Sequence, residues 1–443
     1  MRSSHPLTLA SALLVMAGAV LAAAALPAFR GDERPGVVTT LGALERPTLA
    51  GSALAPGPLS EEELEAEDAL YRSAAEAAWA YLRRNRARTG LVSATEHYDN
   101  VTTWDSGSLL LGLHAAAELG LAPRREVDAW IATLLETLAT MPLFDDRVFN
   151  KSYSAVTARM VGANDRPSER GKGWSATDLG RLLIALKVVE TRHPALAEAA
   201  RRVVERLDLG RVVEDGYLHG EEPRGRGANS RYQEGHIGYE QYAARGFQLW
   251  GHTAEAALDP SVNGVPVEVL GQTILADRRG NDKLTSEPFV LMGMELGWTP
   301  PFRELAWRML AVQEARYRET GQVTMVSEDA IQTAPHYFYY YSVYGDGETF
   351  VVRAQGPVEN GPRWVSAKAA YAWHALLPTE YTWLAVQTVE PARSADGWAS
   401  GVFEGTGETT AVRNVNTAGI ILEAALYRAR GRPLLDEAGD QTD

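Results

Sequence analysis

The chain has 443 residues, a formal net charge of −14, 45% hydrophobic residues and no cysteine. The charge argues against nucleic acid and anionic membrane surfaces as main partners, and the missing thiols exclude disulfides, cysteine-ligated zinc and thiol catalysis. The apolar share allows a sizeable core; length alone would allow two or three domains.

In chain order, Arg2 precedes Leu7–Ala28, 22 residues without a charge. Small residues before Leu26-Pro27-Ala28-Phe29 suit signal cleavage, and the run is also long enough to span a bilayer. Both readings export the rest of the chain, to the periplasm or beyond. Residues 1–29 are therefore expected to be a signal peptide or membrane anchor, and residues 30–59, rich in Pro, Gly, Ala and Thr, a flexible linker. The folded body is expected over 60–435, followed by a polar tail, 436–443. Ser60 with Glu63 fits a capping box, and the acidic start favours the positive end of a helix dipole.

From there one phrase recurs: a short loop carrying Trp, Tyr, Asp or Glu that runs into an almost wholly apolar helix. It occurs at Trp104-Asp105, Trp174-Ser175-Ala176-Thr177-Asp178, Tyr239-Glu240-Gln241-Tyr242, Ser286-Glu287-Pro288, Ser366-Ala367-Lys368 and Asn416-Thr417. Beyond Leu179, the positions Leu182, Leu183, Leu186 and Val189 form one stripe, but Ile184, Ala185 and Val188 fill the other faces. A helix apolar all round is buried all round.

The intervening stretches are one-sided. From Glu126 to Met141, residues Val127, Trp130, Ile131, Leu134 and Leu138 share a stripe, and similar stripes recur over Glu61–Arg86, Leu196–Leu207, Phe302–Tyr317 and Tyr381–Val389. Alternating inner and outer helices predict an all-α fold, an (α/α)6 toroid. Its inner starts lie roughly 50 to 80 residues apart, longer than solenoid repeats of about 30 to 45. Where an outer helix is missing, Val262-Asn263-Gly264 predicts a hairpin turn followed by a strand at Val265–Val269. A second β-hairpin insertion is predicted over Tyr337–Arg353, turning at Gly345-Asp346-Gly347.

Acids in the loops that open inner helices would face the ring's cavity. Hydrolysis of a glycosidic bond needs one protonated carboxyl and one carboxylate, which makes Asp105, Asp178, Glu234, Glu240, Glu287 and Glu404 candidates. Their aromatic neighbours Trp104, Trp174, Tyr232, Tyr239, Tyr242 and Trp398 suit the C–H faces of sugar rings. Asp178, three after Ser175, also fits a capping box, Asp105 an N-cap, and Glu287 before Pro288 a plain helix start. Glu240 is the expected general acid, since its loop, from Tyr232 to Glu240, holds a second acid, a His and two Gly, and burial would raise its pKa. The second carboxylate is expected to be Asp105 or Asp178. Nine His carry no His-Glu-x-x-His spacing and Gly-x-Ser-x-Gly is absent, so neither a metal nor a cofactor is expected. The Arg-rich stretch 223–231 reads as a loop, and Tyr337–Tyr341 as either a packed hairpin or a lid over the cavity.

Taken together, Thr103-Trp104-Asp105, Gly173–Leu182, Gly238–Ala244, Ser366–Ala370 and Asn416–Glu423 resemble the bacterial DUF3131 family over about Leu64–Leu435. The resemblance implies an (α/α)6 toroid similar to glucoamylase-like and β-1,2-glucanase families, and association with exopolysaccharide or glucan machinery. The expected function is an exported glycoside hydrolase of a bacterial glucan or exopolysaccharide, its partner an oligo- or polysaccharide. A polysaccharide lyase is the alternative, with Tyr239 or His236 as base and Arg245 or the Arg-rich loop neutralising a uronate. A non-catalytic sugar-binding subunit of an export system is another.

Overall fold

The computed structural model describes residues 61–436, apart from 226–227, 281, 332, 334–335, 355–357 and 359–360. The expected signal or anchor, the linker, the Ser60 cap and nearly all of the polar tail lie outside the described residues. No helix among those described is long and apolar enough to cross a membrane.

Six inner helices start at the recurring phrase: Thr103–Glu118, Ala176–Arg192, Tyr239–Gln248, Glu287–Leu291, Ala367–Leu376 and Val415–Arg430. The fourth continues through a π turn, Met292–Leu296. Their all-round apolarity has the expected result: every residue of the first from Thr103 to Ala116 is buried. Each packs on the next, and the sixth packs back on the first. Glycine sets the closest approaches. A Cβ on Gly180 would stand 2.5 Å from the Cα of Ala243 in the third helix, and one on Gly419 would stand 2.6 Å from the Ser108 carbonyl in the first.

One-sided helices lie outside. Glu61–Arg84 packs on the sixth and first inner helices, Arg124–Thr140 on the first, Ala197–Glu205 on the second, Pro300–Thr320 on the fourth and Glu380–Val389 on the fifth. Behind the third stand two one-turn helices, Glu255–Leu258 and Pro260–Asn263, then a hairpin of Gly264–Val269 and Gln272–Asp277.

That hairpin corrects one expectation. Its turn is at Leu270-Gly271, with φ of +47° and +75°, whereas Val262 and Asn263 belong to a helical turn. Asp259 caps that turn by accepting from the Ser261 N–H, with Pro260 at the first position, a stronger local signal than Asn-Gly. The second hairpin, Phe338–Gly345 with Glu348–Arg353, turns at Asp346-Gly347, with φ of +54° and +84°. The strand Glu328–Ala330 pairs on its other side.

One buried cation ties the ring across its middle. Arg181 donates to Ser108 Oγ (2.9 Å), the Tyr242 hydroxyl (2.7 Å), Glu295 (2.7 Å) and Glu423 (3.1 Å), and lies 5.1 Å from the Trp104 ring centroid. These contacts join the first, second, third and sixth inner helices and the π turn after the fourth. Burial, then the neighbouring Glu295, pushes the Glu423 carboxyl well above the usual range. Protonated Glu423 leaves Arg181 and Glu295 as one compensated pair.

Candidate active site

A cavity of about 290 Å³ opens where the inner helices begin, lined by residues from their first turns and from the Glu328–Ala330 and Phe338–Gly345 strands. Two walls carry carboxyls.

On the first wall, Ser175 caps the second inner helix by accepting from the Asp178 N–H (3.1 Å). At the first inner helix the same motif closes both ways, since Asp105 also accepts from the Thr102 N–H (3.2 Å). At Ser175 the return bond is not made, which leaves the Asp178 carboxyl on the cavity. Beside it Glu234 accepts from the Ala176 N–H. Burial raises both carboxyls; the Glu234 charge then adds to the effect on Asp178, which reaches about 7, while Lys151 pulls Glu234 the other way. Two adjacent acids in unequal surroundings share their protons. Lys151 also donates to the Tyr232 hydroxyl (3.0 Å) and pairs with Glu222.

The second wall is built on Glu328, pushed up to about 8 by burial and then by Glu287. Lys368 donates to the Glu328 carbonyl (2.6 Å), pairs with Glu287 and lies 3.5 Å from Asp329. Asp329 accepts from the Trp364 indole (2.8 Å) and sits near 6, raised by burial and drawn down by Lys368. Glu287 accepts from the Trp104 indole (3.1 Å) and the Asn416 amide (2.8 Å), which fixes the Trp104 ring in the wall. Tyr340 joins the walls: beyond burial, its ionisation is opposed first by Glu328 and next by Asp178.

Of the residues expected at the site, the structure brings Asp105, Asp178, Glu234, Trp104, Tyr232 and Tyr239 to the cavity. The others lie elsewhere, each for a physical reason. Glu240 is wholly buried against Arg279 (2.8 Å) and also accepts from Gln233 (3.2 Å); burial does raise its pKa, but the guanidinium covers the carboxyl. The loop between the two acids is reversed by Gly235 and Gly238, with φ of +119° and +96°, so Glu234 faces the cavity and Glu240 the hairpin. Glu404 is gripped by both Arg316 nitrogens (2.9 and 2.8 Å) and Tyr341 (2.9 Å). Trp174 is a core residue whose indole donates to the His219 carbonyl (2.9 Å), and Trp398 likewise reaches the Ala74 carbonyl (3.0 Å). Tyr242 belongs to the Arg181 cluster.

Of the cations proposed for a lyase, Arg245 and Arg231 are off the cavity, Arg245 donating to Gln248 (2.5 Å) and Arg231 pairing with Glu214 (2.6 Å), and Arg226 lies outside the described residues. In the tyrosine tract, strand alternation puts Phe338 and Tyr340 on the cavity and buries Tyr339 and Tyr341.

Sequence reasoning missed Glu328, Asp329, Lys151, Lys172 and Lys283, while Tyr340 belongs to the tract expected as a packed hairpin or a lid. One signal was available: lysine occurs five times in the chain, and four of the five line this cavity. Among the described residues no group of three or more His, Asp or Glu converges as a metal-holding cluster.

A family profile described as "Protein of unknown function (DUF3131)" matches residues 73–431. No curated protein sequence matches the chain. Solved structures share its architecture at low identity. A glucoamylase candidate from Bacteroides caccae superposes with a TM-score of 0.61 at 14% identity, over 82% of this chain and 94% of that one. An endo-β-1,2-glucanase from Chitinophaga pinensis, bound to sophorotriose and glucose, gives 0.58 at 13%, over 84% and 94%. An endo-β-1,2-glucanase from Talaromyces funiculosus, bound to sophorose, gives 0.57 at 12%, over 84% and 89%. At such identities the likeness establishes the fold, a glucoamylase-like (α/α)6 architecture.

Proposed function

Because the chain belongs to the DUF3131 family and carries a glucoamylase-like fold, we propose that it is a glycoside hydrolase of a glucan, with β-1,2-linked chains as the first substrate to try. The observation that carries this reading is that Asp178 and Glu234 on one wall and Glu328 on the other reach the cavity with no ion pair to Lys or Arg within 4 Å among the described residues, whereas Asp329 is held by Lys368. Near neutral pH, burial raises all three carboxyls, Asp178 to about 7 and Glu328 to about 8, and Lys151 offsets part of the rise at Glu234. Acids that share protons in this range supply both a donor and a carboxylate. The donor protonates the leaving glycosidic oxygen as the C–O bond breaks; a carboxylate takes a proton from the water whose oxygen bonds to the anomeric carbon. Trp104, Tyr239 and Tyr340 offer aromatic surface for the rings.

The test is product release by the full chain from β-1,2-, β-1,3-, β-1,4- and α-linked glucans. Cleavage of none of them, with all three acids intact, would end the hydrolase reading. Where a glucan is cleaved, the pH profile should be bell-shaped. Activity that needs a protonated donor falls as pH rises through that donor's pKa, so the alkaline limb should lie between about 7 and about 8. A midpoint near 7 points to the Asp178–Glu234 pair as donor, and one near 8 to Glu328; loss of activity only above pH 10 would contradict both.

Glu240→Gln is a control. It breaks the Arg279 pair behind the wall, so a lower unfolding midpoint is expected with kcat within about threefold of wild type. A kcat loss of a hundredfold at unchanged fold would return Glu240 to the mechanism. We further propose export, on the strength of the Leu7–Ala28 run; fractionation of expressing cells checks it, and a purely cytoplasmic pool would refute it.

A further inference from the structure

Lysine is scarce in this chain: it accounts for five of 43 basic side chains, the rest being arginine. Yet among the described residues the cavity wall holds Lys151, Lys172, Lys283 and Lys368 and no arginine. Arginine binds carboxylates and phosphates through two parallel bonds, whereas lysine offers a compact charge to single oxygen atoms. Three of the four are compensated: Lys151 by Glu222, Lys172 by Asp165 (3.2 Å) and Lys368 by Glu287 and Asp329.

Lys283 differs. Only 8% exposed, it is the one cavity lysine with no carboxylate within 4 Å among the described residues, and its ammonium lies 4.4 Å from the Tyr340 ring centroid. His236 and Tyr239, whose rings stand 4.8 Å apart, line the same wall; the Tyr239 hydroxyl interacts with the Glu328 side chain, and His236 Nε2 is sealed inside the wall without a hydrogen-bond partner. Burial, and then the Lys283 charge, pushes the His236 imidazole well below its usual range and keeps it neutral. An ammonium held in a cavity wall without a carboxylate partner favours a ligand oxygen that carries negative charge.

We propose that Lys283, packed on the Tyr340 ring, is the cation of a subsite for an anionic group carried by the saccharide, so that the substrate is a glucan bearing an acidic substituent, a carboxylate or a phosphoryl ester. The proposal rests on the glucan reading above and narrows its substrate. Glu234 and Glu328 border the subsite and also act on Lys283, which favours a group with a single charge over a multiply charged one.

The test compares neutral β-1,2-gluco-oligosaccharides with the same oligosaccharides carrying succinyl half-esters or glycerol-phosphate diesters. Initial rates are measured for the wild-type chain, Lys283→Met and Lys283→Arg, and binding of each oligosaccharide is measured calorimetrically with the wild-type, Glu234→Gln and Lys283→Met chains. For the wild type, kcat/KM should be at least tenfold higher on a charged oligosaccharide than on the neutral one. Lys283→Met should abolish that ratio, mainly through KM, and Lys283→Arg should keep part of it; the two esters separate carboxylate from phosphate. Cleavage of neutral and charged chains at equal efficiency, with the ratio unmoved in Lys283→Met, would overturn the subsite and leave the hydrolase standing. Conversely, if no glucan is cleaved but charged oligosaccharides bind the wild type at least tenfold more tightly, and Lys283→Met erases this, the subsite stands and the hydrolase falls.

Discussion

Glu234→Gln is expected to lower kcat on the cleaved glucan by roughly 10²- to 10⁴-fold, with a melting temperature at or slightly above that of the wild type. The amide keeps an acceptor for the Ala176 N–H and removes one of two neighbouring charges that oppose each other. At least one of Asp178→Asn and Glu328→Gln should be similarly inactive, since the reaction needs a second carboxyl beside Glu234. The variants should part company when the leaving group changes. A donor variant regains activity on aryl glucosides, whose leaving phenolate needs no proton. A variant on the water side does not, but azide can substitute for the water it activated. Full activity in all three variants would move the chemistry out of this cavity.

The second large effect is on stability. Arg181→Met should destabilise the fold by about 3–5 kcal/mol, because it leaves the Glu295 carboxylate buried at 0% side-chain exposure without its cation. Urea unfolding at pH 8 and pH 5 measures it. Once the guanidinium is gone, protonation relieves that buried unpaired charge, so the deficit should shrink as pH falls. Adding Glu295→Gln to Arg181→Met should recover part of the loss. A single variant as stable as wild type at both pH values would show that the cluster is not a structural tie.

The inner helices were legible because burial on all sides demands apolar residues at every phase, a pattern that survives without knowledge of neighbours. Outer helices were legible by the opposite sign, a stripe. The site was less so. Glu234 and Glu240 share one loop and similar surroundings in sequence; what separates them is an arginine 39 positions beyond Glu240, at the end of a hairpin, and two glycines with positive φ. Trp174 and Trp398 sit beside acids or active-site loops in sequence, yet each indole N–H finds a backbone carbonyl inward, and the ring follows it. Glu328 and Lys283 come from strand and loop segments that share no periodic signal with the helices. Only the scarcity of lysine marked that wall, and scarcity becomes visible when residues are counted by kind rather than read in order.

The sixth inner helix has a consequence for synthesis. Asn416 in that helix accepts from Trp104 in the first, 312 positions away, and the same helix packs on both the outermost first helix and the fifth inner one. A growing polypeptide therefore lacks the segment that seals its earliest helices until more than three hundred further residues have emerged. Such long sequence separation slows folding, and during translation it keeps the partly made chain open, a condition that suits passage through a narrow translocation channel. Truncation before Val415 would then remove the seam rather than trim an end, and the product is expected to be degraded instead of accumulating as a slightly shorter protein.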